Sequence, residues 1–330
     1  MTSIRFSRTL RSPLTRLLII GLAVLAAATG ASADTGGGTI YYTADAWYTM
    51  NSDGSSKTAL PAGVSGYPSR ALHGGARWFL QGRTIPGEFY PSGRPRAEVF
   101  AIRGDGLVSV QLTNQPDLEN GNLTWMPPGD NLSFIGRRWL LGSVVEGGIY
   151  TAQVIYDGAG QITGLSAQPA APVISNAMVL DGAGYLKPDM ASHSWAPAGD
   201  RVVYPTYANG RQLWVADLSN VQTLLYSGYS NGPVWSPDGA KIAFENGYWD
   251  ISTISPDGTG LRDIIKATST WYFALAKWSP TGSHLAFLGF THVLNTAVNY
   301  DVFRANSNGG NRTNLTNTAA PNQEYPVAWR

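Results

Sequence analysis

"VWSPDGAKIAF", residues Val234 to Phe244, reads as a complete β-hairpin. Pro237 presets φ for the second turn position, Asp238 suits the third, and Gly239 takes the positive φ that follows. Val234 and Trp235 on one side are strong strand formers, and Lys241-Ile242-Ala243-Phe244 on the other alternates polar with apolar. A lone hairpin cannot bury its apolar face, so this one needs neighbours.

The chain supplies them by repetition. Aligned on the tryptophan, further copies begin at Trp125-Met126-Pro127-Pro128-Gly129-Asp130, Trp195-Ala196-Pro197-Ala198-Gly199-Asp200 and Trp278-Ser279-Pro280-Thr281-Gly282-Ser283. A fifth, eroded copy spans Arg70 to Phe79 and keeps the glycine and the final aromatic, with Arg70 in the place of the tryptophan. Each hairpin is followed by a second strand pair, clearest in Asp250 to Ile254, the turn Ser255-Pro256-Asp257-Gly258, and Leu261 to Ile265. Four strands in a unit of about forty residues is the pattern of a propeller blade. The sequence therefore predicts an all-β fold, a six-bladed β-propeller of four-stranded blades. Complete blades are expected at about 65–114, 120–165, 193–228, 232–267 and 276–317. The sixth is split between the termini: Tyr325-Pro326-Val327-Ala328-Trp329-Arg330 reads as a first strand, and Thr39-Ile40-Tyr41-Tyr42 matches Lys241 to Phe244.

Before Thr39 lies a targeting segment. Arg5, Arg8, Arg11 and Arg16 precede the apolar run Leu17 to Ala28 and then Ala31-Ser32-Ala33. This is the pattern of a signal peptide over 1–33, with cleavage before Asp34 and one propeller domain over 34–330. With those four arginines removed, 19 basic residues face 22 acidic ones, which gives no electrostatic reason to expect nucleic acid. The chain has no cysteine, which excludes disulfides, thiol catalysis, cysteine metal sites and the acylated cysteine of a lipoprotein. A soluble protein of the periplasm or the exterior is the expectation, without a membrane span after signal cleavage.

The WSPDG hairpin repeats resemble those of TolB-type propellers, a WD40-like repeat group, over nearly all of 34–330 and most closely over Gly232 to Asp263. The resemblance implies a scaffold in the bacterial envelope with protein partners, such as a peptidoglycan-associated lipoprotein. TolB places an α/β domain before its propeller, whereas here the signal runs almost directly into Thr39, so the resemblance is to the propeller alone.

Catalytic signals are sparse. Gly228-Tyr229-Ser230-Asn231-Gly232 satisfies the G-x-S-x-G pattern, but a nucleophile elbow needs a strand into the serine and a helix after it, and Pro233-Val234-Trp235 instead begins a blade. None of the four histidines pairs with another His or an acid at a metal-ligand spacing, so neither metal nor cofactor is expected. His73, His284 and His292 read as structural or solvated, and Asp53 and Asp257 as turn residues. No catalytic residue is assigned. The candidate ligand contacts are the residues just before each first strand, at the channel mouth: Tyr67, Asn122, His193, Asn231, Tyr272 and Tyr325. The expected function is binding of a protein or an envelope component without chemistry. The alternative is a propeller enzyme, a lyase or hydrolase acting on a sugar or lactone, with His193 and Glu324 at the mouth. The Ala/Pro-rich connection from Ala167 to Ser192 reads as a long loop, either a functional lid or partner element or a neutral insertion.

Overall fold

In the computed structural model, which describes residues 37–180, 186–190, 192–208, 210–291, 298–319 and 323–330, the repeats become six four-stranded antiparallel sheets. No helix occurs among the described residues, and the signal segment 1–33 and His292 lie outside them. Blade 1 joins Tyr325–Trp329 to Thr39–Thr43, Trp47–Asn51 and Thr58–Ala59. Blade 2 is Tyr67–Pro68, Trp78–Phe89, Pro95–Arg103 and Ser109–Gln111. Blade 3 is Leu118–Met126, Asn131–Leu140, Ser143–Ala152 and Ile174–Ser175. Blades 4, 5 and 6 begin at Ser194–Trp195, Ser230–Trp235 and Trp271–Trp278.

The quoted hairpin forms as its chemistry requires. The Ser236 hydroxyl donates to Asp238 Oδ1 (2.5 Å), Asp238 Oδ1 accepts the Ala240 N–H (3.0 Å), and Gly239 sits at φ +71°. Trp235 stands opposite Ile242. Ile40 stands opposite Trp329 in the same way, with reciprocal bonds between Thr39 and Arg330, so the two ends of the chain complete one blade.

Packing closes the ring. The six apolar clusters each join one pair of neighbouring blades: Trp125 with Leu80, Trp195 with Ile149, Trp235 with Val203, Trp278 with Ile251, Trp329 with Val302, and Phe79 with Ala328. A second strand such as Ile242–Asn246 is therefore buried at all of its positions instead of alternating, because both faces of each sheet are covered. The first strands of successive blades contact one another and surround the axis. The tryptophans also tie blade to blade: Trp125 Nε1–H donates to the Tyr67 carbonyl (2.7 Å) and Trp278 Nε1–H to that of Val234 (3.1 Å).

Three expectations change. The span 120–165 does not hold all of blade 3. Val154–Tyr156 and Ile162–Leu165 form a separate two-stranded sheet, and Val154 and Ile162 pack into the cluster shared with blade 2. That removes the expected fourth strand from its place, and Ile174–Ser175 fills it, with Ile174 fully buried and the Val173 N–H bonded to the Ile149 carbonyl (2.8 Å). The connection from Ala167 to Ser192 is thus not a plain loop: it supplies an outer strand and a hairpin of Met178–Leu180 with Leu186–Pro188. In blade 2, Pro68 and not Arg70 takes the tryptophan's place, opposite Phe79. The closing bond of the turn runs from Ser69 N–H to the Trp78 carbonyl, where the quoted copy closes from Ser236 to Lys241, so the turn is four residues longer. Asp130 of blade 3 holds this longer turn by accepting the N–H groups of Arg70 (3.0 Å) and Ala71 (2.9 Å) and by pairing with His73 Nε2 (3.0 Å).

Candidate binding face

Antiparallel order puts the starts of the first strands and the loops between second and third strands on one side of the ring, the loop face. The Pro/Asp-Gly turns lie on the other, the turn face. The turn aspartates are committed locally: Asp53 accepts from the Ser55 N–H and hydroxyl, Asp257 from those of Thr259, and these bonds hold both carboxyls below the usual carboxylate range.

The loop face carries a continuous arc of aromatic rings over blades 5, 6 and 1. Trp249 stacks on Tyr272 (centroids 6.0 Å), Tyr272 meets Phe290 edge-on (5.5 Å), Phe290 stacks on Tyr300 (5.7 Å), and Tyr300 meets Tyr325 (5.3 Å). All five are half-buried, so each ring keeps part of its surface open to water. Trp249 reaches its place through a left-handed backbone at φ +61°, in the loop closed by the Asn246 and Asp250 bonds.

Across the face, over blades 2, 3 and 4, charged and apolar side chains mix. A cavity of about 220 Å3 is lined by Arg94, Glu119, Asn122, Arg137 and Tyr207. Arg137 grips Glu119 with two bonds (2.7 and 2.5 Å) and packs over the Trp139 ring (5.5 Å), and Arg94 adds a third contact to the same carboxylate (3.3 Å). Two guanidinium groups thus share one carboxylate in the cavity wall, and the Asp189 carboxylate beside it accepts the Tyr207 N–H (2.7 Å).

Of the six candidate contacts, the structure brings Tyr272 and Tyr325 together in the arc and puts Asn122 in the polar cavity. Tyr67 packs against the core shared by blades 2 and 3. Asn231 is buried beside Glu245, its partner across the sheet. His193 is 9% exposed; its Nε2 bonds the Ser133 hydroxyl (2.8 Å), which also accepts the Trp195 indole N–H (2.9 Å), while among the described residues Nδ1 has no partner. Burial pushes His193 down to about 3, so it is neutral at physiological pH. Counted back from the tryptophan position, Tyr67 lies one residue away, His193 two, Asn122 three, Asn231 and Tyr325 four, and Tyr272 six. They sit at different depths and do not form one ring.

The inner strands share a bulge that the sequence does not advertise. Asn122, Gly232 and Leu275, each three residues before its tryptophan, have φ of +50°, +51° and +54°, and the pairing register slips there in all three blades. A glycine adopts this conformation freely, an asparagine tolerates it, and a leucine is strained in it.

Arg211 and Glu245 were not singled out by sequence. The Arg211 guanidinium lies over both the Tyr207 (5.3 Å) and Tyr229 (5.1 Å) rings and donates to the Tyr229 hydroxyl (3.2 Å). Glu245 is 3% exposed, and among the described residues its Oε1 has no hydrogen-bond partner. Burial pushes its carboxyl up to about 8 although Arg211 opposes the shift, so it carries a proton at neutral pH. Arg211 lies in the second-to-third-strand loop of blade 4 and Glu245 on the second strand of blade 5, so only the packing of the two blades brings them near each other, and no local motif marks that.

Ser230 is the first residue of a strand that continues to Trp235, not an inter-blade loop, and its buried hydroxyl donates to the Arg211 carbonyl. No helix follows it, so the elbow geometry is absent. His193 and Glu324 belong to blades 4 and 1, on opposite sides of the ring, and Glu324 accepts the Thr318 hydroxyl (3.0 Å). Among the described residues no three His, Cys, Asp or Glu side chains gather into a metal-binding group.

No protein-family model matches the chain, and no curated protein matches it. Solved structures of similar fold include an oligogalacturonate lyase in complex with manganese, at 12% identity over 84% of this chain and 73% of that one, with a TM-score of 0.45. An oligogalacturonate lyase from Vibrio parahaemolyticus is 10% identical over 84% and 72% of the two chains, with a TM-score of 0.45. The tricorn protease is 11% identical over 81% of this chain and 27% of that one, with a TM-score of 0.33.

Proposed function

We propose that this protein is an exported binding propeller whose loop face holds a polymer of the cell envelope, without chemistry of its own. The observation that carries this reading is the arc Trp249, Tyr272, Phe290, Tyr300 and Tyr325, five half-exposed rings in an unbroken row. Aromatic faces of this kind take the C–H faces of sugar rings and the apolar faces of peptides. The cavity lined by Arg94, Asn122 and Arg137 across the same face offers hydrogen-bonding groups to polar substituents on the same polymer. Export to the periplasm or exterior follows from the signal pattern over 1–33, and the resemblance to TolB-type propellers favours a scaffold role with envelope proteins as further partners. The experiment is co-sedimentation of the secreted chain with purified cell-wall glycan, comparing wild type with a Trp249→Ala/Tyr272→Ala/Tyr325→Ala triple variant of unchanged far-UV circular dichroism. Wild type should pellet with the polymer and the triple variant should remain in solution.

One observation favours a second reading, a lyase or hydrolase acting on a sugar or lactone. Glu245, protonated at neutral pH and with a free oxygen, lies beside Arg211 in the arrangement of a general acid near an anion-stabilising cation. In that case Glu245→Gln would abolish turnover of an envelope sugar while leaving its binding intact.

A further inference from the structure

The turn face closes the channel with charge that the protein does not balance. Arg330 follows Trp329 at the end of the inner strand of blade 1, and its Nε donates across to the Pro68 carbonyl of blade 2 (3.3 Å). Arg70 and Arg77 stand in the enlarged blade 2 turn, where Arg77 donates to the Ser69 carbonyl (2.6 Å) and lies over the Tyr41 ring (5.8 Å). Lys277 precedes Trp278 on the inner strand of blade 6, and among the described residues its ammonium has no hydrogen-bond or ion-pair partner. Arg330, Arg70 and Arg77 thus lie together where blades 1 and 2 meet, and Lys277 on the neighbouring inner strand is near enough to Arg330 for the two charges to repel. Against them stands the Asp130 carboxylate. It is occupied by two backbone N–H groups and His73, and the Arg330 carbonyl oxygen accepts the Thr39 N–H (2.6 Å).

We propose that this end of the channel is an oxyanion-binding site, in which Lys277, Arg330 and Arg70 hold a phosphate or carboxylate group of a ligand. Unpaired cations in a desolvated place are costly, and an oxyanion that accepts from two guanidinium groups and an ammonium converts that repulsion into charge-assisted hydrogen bonds. The cations already feel the strain: burial and the neighbouring Arg330 push Lys277 down to about 8, and burial with Arg70 and Arg77 pushes Arg330 down to about 10. The aromatic arc lies on the opposite face, so this site stands independently of the polymer-binding reading.

The test is thermal unfolding of the secreted chain in sodium phosphate and in sodium citrate, each against sodium chloride of equal ionic strength. A ligand of the folded state raises the melting temperature by mass action. Wild type should show a saturable rise of several degrees with at least one of the two anions, and which one acts tells phosphoryl from carboxylate recognition. Lys277→Met and Arg70→Gln should each weaken that response at least tenfold in anion concentration. Without anion, Lys277→Met should melt at or above wild type, since it removes an unneutralised charge and keeps the side-chain volume. A purely structural lysine would instead lose stability on replacement. No response beyond that of chloride, or responses in both variants equal to wild type, would overturn the proposal.

Discussion

The indole N–H of Trp329 donates to the carbonyl of Gly37 over 2.6 Å, joining residues 292 positions apart in the chain. This bond, the Thr39–Arg330 pair and burial of Trp329 to 2% exposure hold the first strand of blade 1 to the other three. Trp329→Ala should therefore destabilise the protein by about 3–5 kcal/mol, as buried tryptophans do. Deleting 325–330 removes the strand ladder as well. Since whole domains hold only about 5–15 kcal/mol, the deletion should prevent soluble expression or lower the melting temperature sharply. Thermal melts of both variants check this, and a deletion melting like wild type would refute ring closure by a shared blade.

His193 gives the protein an acid-sensitive element. The folded chain keeps it neutral down to about pH 3, whereas the unfolded chain takes up a proton near 6.5. The stability this contributes is complete above pH 6.5 and declines as the pH falls toward 3. His193→Gln should narrow the gap between melting temperatures measured at pH 7 and pH 4. An unchanged gap would mean that His193 is solvated.

Glu245 acts in the opposite direction. Its folded value of about 8 exceeds its model-compound value of 4.5, so the stability it contributes is present below pH 4.5 and is lost as the pH rises through 8. Glu245→Gln should remove the part of the stability decline between pH 5 and 8 that this carboxyl causes. Parallel melting curves for variant and wild type across that range would show that Glu245 is ionised in the folded state.

Gly309 marks where the third-to-fourth-strand turn of blade 6 touches blade 5. It has φ +87°, and a Cβ there would lie 1.7 Å from the Ile264 carbonyl oxygen. Gly309→Ala must therefore adopt a disfavoured backbone and push the two blades apart. The backbone conformation alone costs on the order of 1–3 kcal/mol. Chemical denaturation measures the loss, and a variant as stable as wild type would show that the inter-blade contact is loose.

The turn chemistry of Ser236 to Gly239 was enough to read the blade, its repetition and the split of blade 1, because each feature is written within a few residues. What escaped was written elsewhere. The outer strand of blade 3 is only Ile174 and Ser175, too short to show alternation, and it is displaced by a hairpin whose apolar residues face blade 2. Blade 2 lost its tryptophan, and the four extra turn residues are held by Asp130 from another blade, which no local pattern reveals. The bulge that aims the inner strands uses Asn122, Gly232 and Leu275, three residue types with nothing in common. At the binding face, alignment found the strand starts Tyr272 and Tyr325, but Trp249, Phe290 and Tyr300 come from loops and second and third strands and join the arc only when the sheets pack.

Hydrogen exchange of the secreted chain, alone and with purified cell-wall glycan, tests the central claim most directly, because it locates the contact on the ring. Binding at the arc predicts slowed exchange in 247–250, 271–274, 299–301 and 323–326, with the Pro/Asp-Gly turns at 236–240 and 255–259 unchanged. Protection confined to those turns, or none at glycan concentrations that saturate co-sedimentation, would contradict it.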